Sequence, residues 1–215
     1  MGFFISLEGI EGCGKTTQLR LLADWLRGAG HEVLTTREPG GCPIADQIRA
    51  ILLTPQSRAL VPRAELLLYA AARAQHVDEV VKPALLGGKI VLCDRYTDAT
   101  LAYQGGGRGL DQTLIAELNA LASGGLSPQL TLLLDLPVEL GLGRATHRNQ
   151  SNADQEGRFE QESLEFHRRV QAAYRQLAKA EPERFCLVDA SGSVAQVHER
   201  IVNGVKPILA RQCPP

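Results

Sequence analysis

The amino-acid sequence predicts an α/β fold of three layers, in which a mostly parallel sheet lies between two layers of helices. Short apolar runs recur along the chain and alternate with segments whose apolar residues have helical spacing. Continuous apolar runs are typical of parallel strands that are buried on both faces. Alternation of strands and helices favours a parallel sheet covered by helices. The 215 residues are about one domain's worth, so we expect a single domain.

The predicted strands are short and apolar or β-branched. They lie at Phe3–Leu7, Val33–Thr36, Ile90–Cys93, Leu130–Leu134 and Phe185–Val188. The predicted helices repeat apolar residues at helical spacing. They lie at Thr17–Leu26, Ile44–Leu53, Ala64–Leu86, Phe159–Ala180 and Val194–Arg211. Pro83 should kink the third helix or mark its last turns, because proline lacks a backbone N–H.

Charge and cysteine content disfavour several classes of protein. With 23 basic and 24 acidic residues the net charge is −1, whereas nucleic-acid binders usually carry a basic excess. The five cysteines are widely spaced, which disfavours a zinc site or a disulfide framework. No apolar run approaches the ~18 residues of a membrane span, and the amino terminus lacks the basic segment of a signal peptide. We therefore expect a cytoplasmic protein that binds neither nucleic acid nor a membrane.

Residues Gly9–Thr16 read GIEGCGKT and match the phosphate-binding pattern GxxxxGK[ST]. In this motif the glycines let successive backbone N–H groups point at a phosphate, and the following helix adds its positive end. Lys15 is expected to reach the β- and γ-phosphates of a nucleotide, and the Thr16 hydroxyl to bind Mg²⁺. The strand before and the helix after supply the context that the motif requires. The expected nucleotide-binding residues of this segment are Gly9, Ile10, Glu11, Gly12, Cys13, Gly14, Lys15, Thr16 and Thr17.

This phosphate loop (Gly9–Thr16) does not by itself identify a reaction, because GTPases, ATPases and kinases all use one. A GTPase would be expected to carry an NKxD element that specifies guanine. A transporter ATPase would be expected to carry an LSGGQ-like signature. The sequence contains neither motif, so a small phosphotransferase is favoured.

Three further segments carry a resemblance to a known family: Arg37–Gly41 reads REPGG, Asp94–Tyr96 reads DRY, and Tyr103–Gly109 reads YQGGGRG. Together with the phosphate loop and in this order, they resemble the bacterial thymidylate kinases over nearly the whole chain. The resemblance implies transfer of the γ-phosphoryl group of ATP to dTMP, with Mg²⁺ as cofactor. It also implies a nucleoside-monophosphate-kinase fold with five parallel strands in the order 2-3-1-4-5, and a homodimer. A kinase with another nucleoside or nucleoside-monophosphate acceptor, and a nucleotide-binding regulator without turnover, remain as alternatives.

The chemistry of the residues supports parts of the acceptor site that the resemblance implies. Asp94 ends a predicted strand, so Arg95 follows at the edge where open α/β sheets bind ligands, and arginine can bind a phosphate through two nitrogens. The resemblance assigns Arg95 to the acceptor phosphate and Asp94 to Mg²⁺ through water. It stacks thymine on Tyr69, where phenylalanine is usual, places Gln104 near the edge of the base, and lets Tyr103 crowd the 2′ carbon of the sugar. The implied dTMP-binding residues are Glu11, Glu38, Pro39, Tyr69, Arg73, Arg95, Thr100, Tyr103 and Gln104.

The polar stretch His147–Gly157 is predicted to be a mobile loop, with a lid at about residues 145–158. An arginine can stabilise the charge that phosphoryl transfer spreads over the moving group, but the phosphate loop contains none. The bacterial type of the family supplies this charge from lid arginines that close over ATP. The resemblance points to Arg148 and Arg158 for the transferred group and to Arg144 nearer the adenine. The expected catalytic residues are therefore Lys15, Arg95, Arg148 and Arg158.

Overall fold

Five parallel strands form one sheet at the centre of the computed structural model, which describes residues 2–151 and 157–212. The strand order is β2-β3-β1-β4-β5, so the predicted order and the predicted α/β fold are both confirmed. The strands are β1 (Phe3–Glu8), β2 (Val33–Arg37), β3 (Ile90–Asp94), β4 (Leu130–Asp135) and β5 (Phe185–Asp189). Each extends one residue beyond its predicted end, and that last residue is charged in every strand.

The central strand β1 is buried at all six positions, because it pairs with β3 on one side and β4 on the other. In the parallel register Ile5 lies opposite Leu92 and also opposite Leu130. Burial on both faces explains why the strand reads as a continuous apolar run. Because the strands are parallel, their charged last residues meet at one edge of the sheet, and this edge carries the site described below.

Helices cover both faces of the sheet. They are α1 (Lys15–Gly28), α2 (Pro43–Leu53), α3 (Pro62–His76), α4 (Lys82–Leu86), α5 (Thr97–Thr100), α6 (Gln112–Ser123), α7 (Val138–Ser151), α8 (Leu164–Ala180) and α9 (Val194–Gln212). Ile5 belongs to the core cluster that contains Leu22 of α1 and Val205 of α9. Its neighbour Phe4 points to the opposite face and belongs to a cluster with Val77. Among the described residues, no helix is long and apolar enough to span a bilayer.

The long helix predicted at Ala64–Leu86 is present as a continuous helical stretch, but it contains a wider turn. The segment Val77–Val81 is π-helical, and the N–H of Lys82 donates to the carbonyl of Val77, five residues back. Pro83 follows in α4 and, lacking an N–H, cannot donate a hydrogen bond to the turn before it. The helix is therefore irregular near Pro83, as expected, and the irregularity is a π-helical turn in the residues just before the proline.

Two boundaries near the predicted lid were wrong. The helix predicted at Phe159–Ala180 begins only at Leu164, because the Ser163 side chain caps it by accepting the N–H of Phe166 at 3.1 Å. The stretch His147–Gly157 was predicted to be a loop, yet α7 continues through residues 147–151. Residues 152–156 lie outside the described part of the chain. The helices α6 and α7 and the helical segment at residues 97–107 were not predicted from the sequence.

Candidate active site

The charged edge of the sheet borders a cavity of about 560 Å³. Its walls come from the phosphate loop, the segment after β2, α3, and the helical segment after β3. The cavity brings together most of the residues that the sequence assigned to binding or catalysis. Those lining it are Glu11, Gly12, Lys15, Thr16, Glu38, Pro39, Tyr69, Arg73, Asp94, Arg95, Thr100, Tyr103 and Gln104. The lining also includes Arg49 of α2, for which sequence analysis left a contact with the acceptor phosphate and a solvent-facing position both open. The turn residues Phe159 and Glu160 line the cavity as well and were not predicted as site residues.

The phosphate loop holds its lysine over its own backbone. Lys15 Nζ donates to the carbonyl oxygens of Gly9 at 3.0 Å and of Ile10 at 2.9 Å. Gly12 has a φ of 70°, and a side chain there would overlap the carbonyl oxygen of Gly141 in α7. The loop therefore packs closely against α7 and presents a fixed cation to the cavity, as anion binding requires.

Thr16 and Asp94 supply oxygen ligands on the floor of the cavity. Thr16 Oγ1 donates to Asp94 Oδ2 at 3.0 Å, so the first turn of α1 meets the end of β3. Hydroxyl and carboxylate oxygens suit Mg²⁺, which usually takes one or two protein groups together with substrate phosphates. Within the described residues no group of three or more His, Cys, Asp or Glu could hold a metal alone. The donor set fits a magnesium ion that arrives with a nucleotide.

Arg95 comes directly after β3 and has a φ of 71°, which is uncommon for a residue other than glycine. Its guanidinium donates from Nη2 to Glu11 Oε1 at 2.9 Å and from Nη1 to the Tyr174 hydroxyl at 3.2 Å. The same group lies over the ring of Tyr103, 4.7 Å from its centre. Such a backbone conformation costs on the order of 1–3 kcal/mol and persists where surrounding contacts impose it. Here the contacts turn the side chain toward the phosphate loop.

Glu11 of the phosphate loop is an anionic anchor for Arg95. Burial alone would raise the pKa of Glu11, but the charge of Arg95, a contact from His167 and the charge of Lys15 together hold it well below its usual range. The Tyr103 hydroxyl also donates to both carboxylate oxygens, at 2.7 and 2.8 Å. His167 Nδ1 lies 3.4 Å from Oε2. The carboxylate therefore stays ionised and keeps the guanidinium in place.

Glu8 is a buried carboxyl group behind Arg95 that sequence reasoning did not identify. Its oxygens accept the backbone N–H of Tyr96 and the hydroxyl of Tyr174, both at 2.7 Å. Burial raises the pKa of Glu8 to about 8, with a further increase from the charge of Asp98 that the nearby Arg95 only partly offsets. Tyr174 thus bridges a titrating carboxyl and the arginine of the site.

Arg73 is held by the protein on all sides. It donates from Nε to Glu38 Oε2 at 2.7 Å, from Nη1 to Asn119 Oδ1 at 2.6 Å, and from Nη2 to Thr100 Oγ1 at 3.0 Å. Only 2% of Arg73 is exposed. Glu38 is further fixed by His76 Nδ1, 3.0 Å from Oε1. These hydrogen bonds fix one wall of the cavity. Most of the Arg73 side chain is buried in that wall, and only a small part of it is accessible to a ligand.

The three arginines predicted near the lid differ in placement. Arg158 is buried, donates from Nε to the carbonyl of Leu52 at 2.6 Å, and pairs with Glu65 of α3. It does not line the cavity, so this structure departs from the expectation that it contacts the transferred group. Arg144 is exposed on α7. Arg148 belongs to the last turns of α7, and its side chain lies outside the described residues.

Sequence analysis also did not identify Glu65, the carboxylate that pairs with Arg158. Glu65 lies four residues before Tyr69 and eight before Arg73 on α3, so helical spacing puts it on the face that carries the predicted base-binding residues. This spacing was the signal from which Glu65 could have been identified in the sequence. A carboxylate, however, is almost never fully buried unless it is paired, and its partners Arg108 and Arg158 are 43 and 93 residues away.

The pKa of Glu8 predicts a dependence of stability on pH. The unfolded chain ionises this carboxyl near pH 4.5, whereas the folded chain keeps its proton to about pH 8. The free energy of unfolding should therefore fall as pH rises through this window, with a limiting slope of about 1.4 kcal/mol per pH unit. Glu8→Gln keeps both hydrogen bonds possible but removes the titration. Urea unfolding at several pH values should show wild type losing stability relative to the variant, whereas parallel curves would contradict the assignment.

Comparison with known proteins agrees with the fold. The thymidylate kinase family model matches residues 7–201. Thymidylate kinase from Syntrophotalea carbinolica is 64% identical over 202 residues, covering 94% of each chain. The enzyme from Geobacter sulfurreducens is 57% identical over 215 residues, which is all of this chain and 99% of the relative. The crystal structure of thymidylate kinase from Ehrlichia chaffeensis aligns with a TM-score of 0.76 and 32% identity, covering 95% of this chain and 98% of that one. The chain therefore belongs to the thymidylate kinase family, whose members transfer the γ-phosphoryl group of ATP to dTMP.

Proposed function

We propose that the chain carries out this transfer with ATP on the phosphate loop and dTMP in the cavity beside Arg95. The observation that carries the proposal is the position of Arg95, whose guanidinium is held by Glu11 of the loop at 2.9 Å and lines the same cavity. An arginine in this position can bind the acceptor phosphate through two nitrogens. It thereby brings the acceptor next to the group that the loop presents.

The donor half of the site consists of Lys15, Thr16 and the backbone of the phosphate loop. Lys15 Nζ lies 3.0 Å or less from two loop carbonyls and can exchange these contacts for the β- and γ-phosphate oxygens. Thr16 and, through water, Asp94 would hold Mg²⁺. When bound, this ion neutralises charge on the two terminal phosphates. Thr17 follows in α1, whose positive amino-terminal end faces the nucleotide.

The acceptor half consists of side chains that recognise each part of dTMP. Tyr69 offers an aromatic face for the base, while Gln104 and Thr100 offer polar atoms at its edge. Tyr103, fixed by its bonds to Glu11, stands where it would crowd a 2′ hydroxyl. Glu38 and Pro39 close the wall beside the sugar and the magnesium water shell.

Phosphoryl transfer then needs little covalent participation by the protein. An oxygen of the acceptor phosphate bonds to the γ-phosphorus as the bond from that phosphorus to the β–γ bridging oxygen breaks, and ADP leaves. Catalysis of this kind rests on positioning and on stabilising charge over the moving group. Arg95 and Lys15 approach that group from opposite halves of the site. We assign a further positive charge to Arg148 in the lid at about residues 145–158, with Arg144 nearer the adenine.

The surface supports a homodimer as the working form. Large apolar side chains are exposed on the neighbouring helices α2, α3 and α6, and exposed apolar patches often mark protein interfaces. They are Ile44, Ile51, Leu67, Leu114 and Leu121. A second copy of the chain is the proposed occupant of this surface. The free thiols of Cys13, Cys42 and Cys93 suit the reducing cytoplasm, where we place the enzyme.

Lys15→Ala tests the donor half of the site. Removing a preorganised charge of this kind costs ~3–4 kcal/mol of transition-state stabilisation, or about 10²–10³-fold in kcat. A coupled assay of ADP release with dTMP should show this loss, while thermal unfolding shows a folded variant. Lys206→Ala, on the distant helix α9, serves as the matched control and should keep wild-type kcat. Near-normal turnover by Lys15→Ala would overturn the assignment.

Arg148→Ala and Arg158→Ala test the source of the additional positive charge. Arg148→Ala should lower kcat far more than it lowers the affinity for ATP, because its charge acts on the moving group. Arg158→Ala should instead lower the melting temperature, because it leaves the buried Glu65 with one charged partner fewer. Steady-state kinetics, ATP titration and thermal unfolding separate the two effects. Wild-type kcat in Arg148→Ala would eliminate it as a source of this charge.

A further inference from the structure

Glu65 of α3 is a buried carboxylate that the proposed mechanism does not use. It is fully inaccessible to solvent. Its Oε1 accepts from Gln104 Nε2 at 2.8 Å and from Arg108 Nε at 3.2 Å. Its Oε2 accepts from Arg108 Nη2 at 3.2 Å and from Arg158 Nη2. Two guanidinium groups thus hold the carboxylate directly behind Gln104, which lines the cavity.

This contact determines how the amide of Gln104 is oriented. A glutamine side chain is a donor at its nitrogen and an acceptor at its oxygen, and its environment decides which atom faces which way. An ionised carboxylate only accepts hydrogen bonds, so Glu65 must receive the NH₂ group. Among the described contacts of Gln104, this leaves Oε1 as the atom available to a ligand in the cavity.

We propose that Glu65 sets the base specificity of the acceptor site by fixing the Gln104 amide with its oxygen toward the base. This inference rests on the proposed placement of the pyrimidine beside Gln104. Thymine carries an N–H at position 3, which can donate to that oxygen. Cytosine carries an unprotonated nitrogen there, so two acceptors would face each other. A site whose amide oxygen accepts from an N–H at this position rejects a base with an acceptor there, because the buried amide oxygen is left without a hydrogen bond.

The alternative is that Glu65 only anchors Arg108 and Arg158. Arg108 packs over the rings of Phe159 and Phe166 and has a second carboxylate partner, Glu162, at 2.6 Å. Anchoring predicts that Glu65 variants lose stability and activity toward every acceptor equally. Control of the Gln104 amide predicts a change in the ratio between acceptors, which a purely structural role would not produce.

The test measures kcat/KM for dTMP and for dCMP with the full chain, and the KM for ATP, in wild type, Glu65→Gln and Arg108→Gln. An amide at position 65 can donate as well as accept, so Gln104 can turn over. Glu65→Gln should lower the dTMP to dCMP ratio about tenfold to a hundredfold and leave the KM for ATP within about twofold of wild type. Arg108→Gln, which keeps the carboxylate, should retain the wild-type ratio. An unchanged ratio in a folded Glu65→Gln enzyme would overturn the proposal.

A charge-balanced variant keeps the test decisive if Glu65→Gln does not fold. Glu65→Gln combined with Arg108→Gln removes one charge of each sign, and its ratio is compared with that of Arg108→Gln alone. Equal ratios would refute the role of Glu65, and a lower ratio in the double variant would support it. Gln104→Ala separates this inference from the proposed function. If Gln104→Ala leaves the ratio unchanged, the base is not placed beside Gln104. If it collapses the ratio while the Glu65 variants retain it, only the inference fails.

Discussion

The ion pair between Arg95 and Glu11 joins the two halves of the proposed active site. One partner belongs to the phosphate loop and the other to the residue after β3, and both side chains are largely shielded from water. Charges in such surroundings must be paired, because removing one partner leaves the other buried and uncompensated. Arg95 makes this contact from an uncommon backbone conformation, with a φ of 71°. The loop that receives ATP and the arginine proposed to receive the acceptor phosphate are therefore positioned by the same contact.

Helix α8 supports this pair from behind and links it to the region of the predicted lid. Tyr174 contacts both Arg95 and the buried carboxyl of Glu8. One face of α8 also carries His167, whose ring lies between Glu11 and the carbonyl oxygen of Phe159, with Nε2 3.0 Å from that oxygen. The turn that follows the undescribed residues 152–156 is thus connected through one imidazole to the phosphate loop. Rigid support of this kind is what electrostatic catalysis needs, since preorganised groups do not have to reorient during the reaction.

Sequence analysis predicted those parts of the molecule that depend on residues close together in the chain. Short apolar or β-branched runs identified all five strands, and the phosphate loop follows from its glycines, Lys15 and Thr16. Arg95 was identified because it follows a strand at the ligand-binding edge. Helix α7 was missed because Gly141 and Gly143 weaken the helical pattern and its last turns are polar. Glu8, Glu65 and the burial of Arg158 could not be read from the chain, because their partners are far away in sequence. Glu8 accepts hydrogen bonds from Tyr96 and Tyr174, and Glu65 pairs with Arg158.

The most direct test of this account is the kinetics of Arg95→Lys. Lysine keeps the positive charge and can still pair with Glu11, but it cannot bind a phosphate through two parallel hydrogen bonds. The kcat/KM for dTMP should fall by about tenfold or more, since hydrogen bonds to charged groups contribute about 1.5–3 kcal/mol. The KM for ATP should stay within about twofold of wild type, because the phosphate loop is unchanged. Equal losses for both substrates, or a wild-type kcat/KM for dTMP, would contradict the role given to Arg95.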